Sequence, residues 1–212
     1  MTKEQIVQTL LDTKVVAVIR VDNADELVDT AIALNKGGVK ALEITVTSPG
    51  AIDAIKEAGK RLGSEAIVGV GSVLDPETAR MAILAGAQFV VGPAFSRELI
   101  EMCQRYSVVC IPGAYTPTEI VQAWQAGADF VKIFPASSLG PSFIKDIKGP
   151  LPQVRVTPTG GINLENAAEF IKAGASFVGV GGALVNKKLI AEKKWDELTA
   201  LAKQYIDAVK DV

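Results

Sequence analysis

The chain has 212 residues, of which 49% are hydrophobic and 6% aromatic, and its formal net charge at pH 7 is -2. This length allows one domain with a large core, so we predict a single domain over residues 1–212. The low charge and sparse aromatic side chains argue against a nucleic-acid partner. The chain contains no histidine, which excludes Ser-His and Cys-His catalysis and the commonest metal ligand. We expect neither a metal nor a cofactor.

The two cysteines, Cys103 and Cys110, are consistent with a reducing compartment and lack the spaced companions of a metal site. The N-terminal residues show no basic-then-apolar signal pattern, and no apolar run approaches the thickness of a bilayer. We therefore predict a cytoplasmic protein with no membrane partner.

The apolar pattern predicts strands and helices in alternation. A short amphipathic helix over residues 3–12, with Thr2 as its cap, comes first. The predicted strands are 15–20, 41–45, 66–71, 88–91, 108–111, 129–135, 154–158 and 177–180. The predicted helices after the first are 25–36, 49–62, 76–85, 96–106, 116–127, 141–147 and 194–209. Pro49 is expected in the first turn of its helix.

One short sequence pattern recurs along the chain: a glycine that ends a helix, followed by a strand. The four glycines are Gly38, Gly86, Gly127 and Gly174. The fifth residue after each is, in turn, Glu43, Val91, Lys132 and Gly179. Since successive glycines are about two strand–helix units apart, these four residues would form one inward layer from alternate strands of a parallel barrel. We therefore predict an α/β fold, a single (β/α)8 TIM barrel whose extra N-terminal helix covers the bottom.

Lys132 lies in the middle of an apolar strand, and a buried charge costs several kcal/mol unless it is paired or neutralised. Desolvation lowers the pKa of a lysine, and the neutral amine attacks carbonyls to form imines. A protonated imine permits cleavage of a neighbouring carbon–carbon bond. Glu43 would face Lys132 across the barrel, and Gly179 would leave room beside the two residues. A carboxyl group in this position is suited to general acid–base catalysis. The alternative is a buried Glu43–Lys132 ion pair without chemistry, which explains less because such pairs add little stability.

Active sites of this architecture lie at the carboxyl ends of the strands, where three further candidates fall. Arg20, after the first strand, would clamp an anionic group, or else it pairs with Asp22 or Asp25. Ser72, after the third strand, offers a hydroxyl group. Pro93, after the fourth, is a candidate for contact with substrate.

Glycines in two places are open to two interpretations. Gly69 and Gly71 in the third strand either let a ligand approach the backbone or relieve crowding inside the barrel. The pairs Gly160-Gly161 and Gly181-Gly182 follow the seventh and eighth strands, where glycine amides and the start of a short helix bind phosphate in this fold. Ordinary turns also use glycine, but the two pairs together favour a phosphate site.

Five segments, in this order along nearly the whole chain, closely resemble the 2-keto-3-deoxy-6-phosphogluconate (KDPG) aldolases, also called KHG/KDPG aldolases. They are Leu42–Thr45, Gly69–Leu74, Ile111–Gly113, Val131–Ala136 and Thr157–Ile162. The resemblance implies a class I, metal-independent aldolase, usually a homotrimer. Such an enzyme cleaves KDPG to pyruvate and glyceraldehyde 3-phosphate, and some cleave 4-hydroxy-2-oxoglutarate to pyruvate and glyoxylate.

The resemblance also implies roles for individual residues. Lys132 forms the Schiff base, and Glu43 moves protons through a bound water. Ser72 stands where the family usually has a threonine that contacts the pyruvate carboxylate. Phe134 lines the site, and Gly160 and Gly161 hold the phosphate.

The chain departs from the family pattern at two further positions. Thr47 replaces an arginine found in many members, which would pass the carboxylate clamp to Arg20, and Gly182 replaces a serine that often bonds the phosphate. Three alternatives therefore stay open. They are a 2-keto-3-deoxy-6-phosphogalactonate aldolase, a catalytically idle barrel that serves as a trimeric scaffold, and an isomerase-type phosphate-binding barrel.

Overall fold

The computed structural model describes all residues, 1–212. The strands are β1 (Val15–Ile19), β2 (Ala41–Thr45), β3 (Ile67–Gly71), β4 (Phe89–Val91), β5 (Val109–Ile111), β6 (Gly113–Ala114), β7 (Val131–Ile133), β8 (Val156–Pro158) and β9 (Val178–Val180). The helices are α1 (Lys3–Thr13), α2 (Asp25–Lys36), α3 (Ala51–Leu62), α4 (Pro76–Leu84), α5 (Arg97–Arg105), α6 (Pro117–Gln125), α7 (Gly140–Lys148), α8 (Ala167–Lys172), α9 (Lys187–Ala191) and α10 (Trp195–Val209), with a short 3₁₀ turn at Ala136–Ser138. No helix is long and apolar enough to cross a membrane.

All paired strands are parallel, and they form two sheets in the orders β5-β4-β3-β2-β1-β9 and β6-β7-β8. Parallel strands joined by helices are buried on both faces, which explains why β1 and β3 contain only apolar residues and glycine and why all five residues of β2 are buried. The predicted α/β class with a parallel sheet is confirmed.

Apolar side chains pack in two clusters on opposite faces of the strands. The larger cluster of 53 buried residues lies between strands and helices, and the smaller one of 11 lies on the inner face. In the inner cluster, Ile6 and Leu10 of α1 pack with strand side chains and with Phe130 and Phe177, which immediately precede β7 and β9 and whose rings meet edge to face at 4.9 Å. Each buried side chain of this size contributes about 1.5–3 kcal/mol. Helix α1 therefore belongs to the core.

Two helices start at the predicted capping residue, whereas a third starts later than predicted. Thr2 and Thr116 each form a capping box, with Gln5 and Glu119 as the partners. The prediction for Pro49 was wrong, because α3 begins two residues later at Ala51. Gly50, before it, has a φ of 70°, a left-handed conformation that a right-handed helix cannot include.

The pattern of apolar residues did not predict α8 and α9. These helices have only six and five residues, fewer than two turns, so they show no helical periodicity. Both follow a glycine pair, and α9 starts at Asn186, whose side chain accepts hydrogen bonds from the backbone amides of Lys188 and Leu189. The second of these helices shapes the site described next.

Candidate active site

A cavity of about 690 Å³ opens at the carboxyl ends of the strands. Its lining includes ten of the eleven side chains and glycines predicted as site residues: Arg20, Glu43, Ser72, Pro93, Lys132, Phe134, Gly160, Gly161, Gly181 and Gly182. Thr47 does not line it. The Thr47 hydroxyl donates instead to Thr45 Oγ1 at 3.2 Å, in the turn after β2.

Lys132 lies in the middle of β7 with its side chain at the inner end of the cavity, and only 6% of the residue is exposed. Its Nζ lies 4.7 Å from the centroid of the Phe134 ring. Burial lowers the pKa of Lys132; the carboxyl group of Glu43 opposes this change and the charge of Arg20 adds to it. The site therefore favours the neutral, nucleophilic form of this amine.

Glu43 enters the same region from β2 and is 3% exposed. Burial raises the pKa of its carboxyl group, against the opposing charges of Lys132 and Arg20. None of the ion pairs in the structure joins Glu43 to Lys132, and Glu43 Oε1 has no hydrogen-bond partner. The structural ion pair considered from the sequence is absent, and both groups are shifted toward their uncharged forms.

The four residues predicted to share one inward layer do so. Glu43, Val91, Lys132 and Gly179 all line a second, much smaller cavity of about 10 Å³ behind the large one. The space beside Gly179 was predicted to lie next to Glu43 and Lys132. It is instead filled by Thr159, whose side chain would collide with a Cβ at position 179.

Gly69 and Gly71 serve packing. A Cβ at Gly69 would collide with the ring of Phe89, and one at Gly71 would collide with the Glu43 carboxyl group. Neither glycine lines the large cavity. The structure therefore supports the second interpretation, that these glycines relieve crowding. Gly71 in particular provides the space that Glu43 occupies.

Arg20 and Ser72 form one polar group at the wall of the cavity. Arg20 Nη2 donates to Ser72 Oγ at 3.1 Å. Ser72 has a φ of 60°, a conformation that is uncommon for residues other than glycine. Arg20 forms no ion pair with Asp22 or Asp25, and Asp22 binds Lys187 Nζ at 2.9 Å instead. The guanidinium group therefore faces the cavity without a carboxylate partner.

The two glycine pairs face each other across the outer end of the cavity. Gly160 and Gly161 have φ angles of 96° and 74°, and a Cβ at Gly161 would lie 2.7 Å from Ser137 Cβ. A Cβ at Gly182, by contrast, would meet nothing within 4 Å. The backbone amides of Gly160, Gly161 and Gly182 donate to no other group of the protein. Such free amides are the usual ligands of a phosphate group.

The comparisons with known proteins agree with this geometry. A model of the KDPG and KHG aldolase family matches residues 6–201. The chain belongs to this family. The aldolase is 37% identical, over 99% of both chains, to the 2-dehydro-3-deoxy-phosphogluconate aldolase of Haemophilus influenzae. It is 34% identical to the 2-dehydro-3-deoxy-6-phosphogalactonate aldolase of Escherichia coli K12, over 92% of this chain and 96% of that one.

A solved structure of the KDPG aldolase of Legionella pneumophila superposes with a TM-score of 0.87 at 30% identity. The match covers 94% of this chain and 97% of that one, and that structure holds pyruvate captured as a covalent carbinolamine intermediate. The family and the enzyme class predicted from the sequence, a carbon–carbon lyase, are confirmed.

The sequence analysis missed several residues of the aldolase that line the cavity. They are Val18, Thr159, Ile162, Ala183, Val185, Asn186, Lys187 and Lys188. A usable signal was present, because Asn186 precedes two lysines a few residues after the Gly181-Gly182 pair, in the form of a helix cap. That cap directs the backbone so that two lysines approach the outer end of the cavity.

Proposed function

We propose that this aldolase cleaves KDPG to pyruvate and glyceraldehyde 3-phosphate through a Schiff base on Lys132. The observation that carries the proposal is the buried amine of Lys132, with a lowered pKa, at the inner end of a cavity that also contains a buried carboxyl group. A buried lysine without an ion-pair partner has a clear role in covalent catalysis and little role in stability.

In the first half of the reaction, the neutral Lys132 amine attacks the C2 carbonyl carbon of the substrate. The resulting carbinolamine loses water to give a protonated imine, which withdraws electrons from C3. Glu43 assists these proton transfers, since its raised pKa lets it exchange protons near neutral pH.

In the second half, the Glu43 carboxylate accepts the proton of the C4 hydroxyl group. The C3–C4 bond breaks, glyceraldehyde 3-phosphate leaves, and the bonding electrons move to the imine nitrogen to form an enamine. Glu43 then returns the proton to C3. Water hydrolyses the imine, which releases pyruvate and restores the free lysine, so the water lost in the first half is regained.

The remaining candidates bind the two anionic ends of the substrate. Arg20 and Ser72, which already share a hydrogen bond, bind the carboxylate next to the reacting carbonyl. The free amides of Gly160, Gly161 and Gly182 bind the phosphate at the far end, aided by Lys188. Phe134 and Pro93 line the wall between the two ends.

We further infer that the two sheets are one closed (β/α)8 barrel. On one side, Pro112 alone separates β5 from β6, and its carbonyl accepts the Lys132 backbone amide at 2.8 Å, so this single run of chain pairs with neighbours on both sides. On the other side, a parallel bridge joins Thr159 after β8 to Gly179 in β9. Helix α1 would cover the bottom of this barrel, in keeping with its contacts to the inner cluster.

We propose that the protein forms a homotrimer and that it acts in the cytoplasm. The outer face of α4 exposes 59% of Met81 and 64% of Leu84, and Leu74 just before the helix is 69% exposed. Contiguous apolar surface of this kind marks an interaction site. Sedimentation of the wild type as a trimer, and of Leu84→Asp as a smaller species, would support this interface. An unchanged Leu84→Asp assembly would contradict it, and Lys60→Asp on α3 controls for the added charge.

The proposed function is tested by adding pyruvate and sodium borohydride and measuring the intact mass. We expect one carboxyethyl group per chain, located on Lys132 by peptide mapping, and none in Lys132→Ala. The control is Lys60→Ala, which removes an exposed lysine of α3 and should label like the wild type. A wild type without an adduct, or with an adduct on another lysine, would refute the mechanism and return attention to a scaffold or isomerase role.

The galactonate epimer of KDPG is a second candidate substrate, because the relative from Escherichia coli K12 is named for it. The two epimers differ only at a hydroxyl-bearing carbon, so the ratio of kcat/KM for 2-keto-3-deoxy-6-phosphogluconate and its galactonate epimer decides between them. A ratio well above one supports the proposed substrate. Turnover of 4-hydroxy-2-oxoglutarate in the same assay would measure how much the phosphate contributes.

A further inference from the structure

The small cavity behind Lys132 has an unusual lining. Its volume of about 10 Å³ is close to the least that holds one water molecule. Four of its nine lining residues carry polar side chains: Glu43, Lys132, Thr157 and Thr159. The others are apolar or glycine, so any water here would be held by these four groups.

Two members of this group, Thr157 and Thr159, have no role in the mechanism above. Thr159 packs against Gly179, which leaves Thr157 to be explained. It lies in β8 directly beside Lys132 in β7, and it is 2% exposed. Its Oγ1 is buried and has no hydrogen-bond partner, and the same is true of Glu43 Oε1. Only three buried side-chain atoms in the chain lack a partner, and two of them belong to residues that line this cavity. Buried polar atoms almost always have a partner, so each of these two atoms requires one, and a single water in the cavity that both residues line would serve both.

We propose that Thr157 is a positioning residue that holds one water molecule between its hydroxyl group and Glu43, on the inner side of Lys132. This water would donate to Glu43 Oε1 and satisfy the Thr157 hydroxyl, within reach of the Lys132 amine. Glu43 would then be fixed through Oε1, which lies over Gly71, leaving its other oxygen to exchange protons with the substrate. The role in catalysis rests on the proposed function, whereas the water site itself does not.

The water also affects the charges of the site. A hydrogen bond donated to the Glu43 carboxylate and one accepted from the Lys132 ammonium group both stabilise the charged forms, so they limit the effect of burial. The charged groups that face this pair are each other and Arg20, after β1. The neighbouring strands contribute only uncharged residues to the cavity: Val16, Val91, Ile111, Phe177 and Gly179.

The direct test is a set of three crystal structures. We expect electron density for one water bonded to Glu43 and Thr157 in the wild type, the same density in Thr157→Ser, and none in Thr157→Val. The valine variant has the shape of threonine without the hydroxyl group, and the serine variant keeps the hydroxyl group. A wild type without this water would overturn the proposal, whatever its activity.

Two pH profiles test the positioning role. Trapping of pyruvate with cyanoborohydride follows the neutral fraction of Lys132, and exchange of the pyruvate methyl protons in D2O follows the ionised fraction of Glu43. In Thr157→Val we expect the trapping profile to move about one pH unit lower and the exchange profile to move about one unit higher, because both charged forms lose a hydrogen bond.

A merely structural disturbance would act in the opposite sense. If the valine only loosened the packing and admitted bulk solvent, both groups would return toward their ordinary pKa values, so trapping would move to higher pH and exchange to lower pH. That outcome, unchanged profiles, or a serine variant that behaves like the valine variant would each refute the positioning role. A wild type that traps no pyruvate at all would instead refute the proposed function and leave the crystallographic test of the water site standing.

Discussion

The two ends of the large cavity are built in opposite ways. The inner end consists of side chains that are buried without ion-pair partners, Lys132 and Glu43 above all. The outer end consists of backbone amides from two glycine loops, together with exposed lysines. The difference follows from the chemistry that each end would perform. A nucleophile needs a desolvated amine of lowered pKa, whereas a phosphate already carries its charge and needs only donors at the right distance.

This contrast predicts different consequences of mutation. Substitutions at the inner end should change kcat, because they alter bonds that exist only during the reaction. Substitutions at the outer end should change mainly KM for phosphorylated substrates. The following experiments test this division, from the largest expected effect to the smallest.

Replacement of Lys132 by alanine should abolish turnover, by about 10⁴-fold or more in kcat, because no other group can form the imine. The fold should persist, since the substitution removes a buried charge without an ion-pair partner. Coupled assay of pyruvate release measures kcat, and circular dichroism checks the fold, with Lys60→Ala as the control. Activity within about ten-fold of the wild type would exclude Lys132 as the nucleophile.

Replacement of Glu43 by glutamine should lower kcat by about 10²- to 10⁴-fold, the usual contribution of a general acid–base residue. Glutamine keeps the size of the side chain but cannot accept the C4 hydroxyl proton. Pyruvate should still be trapped on Lys132 in this variant, with a smaller loss of rate than the loss of turnover, because Glu43 assists imine formation but bond cleavage requires it to accept the C4 hydroxyl proton. The matched control is Glu57→Gln on the exposed face of α3. Equal losses of trapping and turnover would contradict this separate role in bond cleavage.

The same variant should be stabilised in a pH-dependent way. The carboxyl group of Glu43 has a raised pKa in the folded protein, whereas in the unfolded chain it ionises near its ordinary value of 4.5. Its contribution to stability is therefore complete below pH 4.5 and is lost as the pH rises through the folded pKa. Because glutamine does not ionise, the free energy of unfolding of Glu43→Gln relative to the wild type should increase from acid to neutral pH. Urea unfolding at several pH values measures it, and parallel curves would contradict the raised pKa.

At the outer end, Gly161→Ala should raise KM for KDPG by about ten-fold, the effect of losing one hydrogen bond to a charged group. Its Cβ would press on Ser137 and displace the loop. The control is Gly63→Ala, at which φ is also positive, 57°, but no atom lies within 4 Å of the added Cβ. Both variants should lose about 1–3 kcal/mol of stability through backbone strain, and Gly161→Ala should lose more than Gly63→Ala because its Cβ also meets Ser137. Only Gly161→Ala should change KM, and it should hardly affect 4-hydroxy-2-oxoglutarate, which has no phosphate.

The two ends also differ in how well the sequence predicted them. Lys132 and Glu43 were predictable for two reasons. A charged residue within an apolar strand is rare, and the repeated pattern of a glycine followed by a strand placed both residues in the same inward-pointing layer. Thr47 was placed in the site by its position after Glu43, but the turn after β2 directs its hydroxyl to Thr45. Lys188 was missed because α9 is too short to leave a periodic pattern. Thr157 has no sequence signal, since its importance comes from a cavity formed by several strands.

The smallest expected effect is a decrease in KM for KDPG. The family resemblance implies a phosphate-binding serine at the position of Gly182 in many members. In this chain a side chain at that position would meet open space at an ordinary φ. In Gly182→Ser the new hydroxyl group should donate to the phosphate and lower KM for KDPG by about three- to ten-fold, as expected for one hydrogen bond. Gly182→Ala, which adds the Cβ without the hydroxyl group, should leave KM unchanged. If serine has no effect, the phosphate lies elsewhere in the cavity, and the assignment of the outer end to Gly160, Gly161 and Gly182 fails.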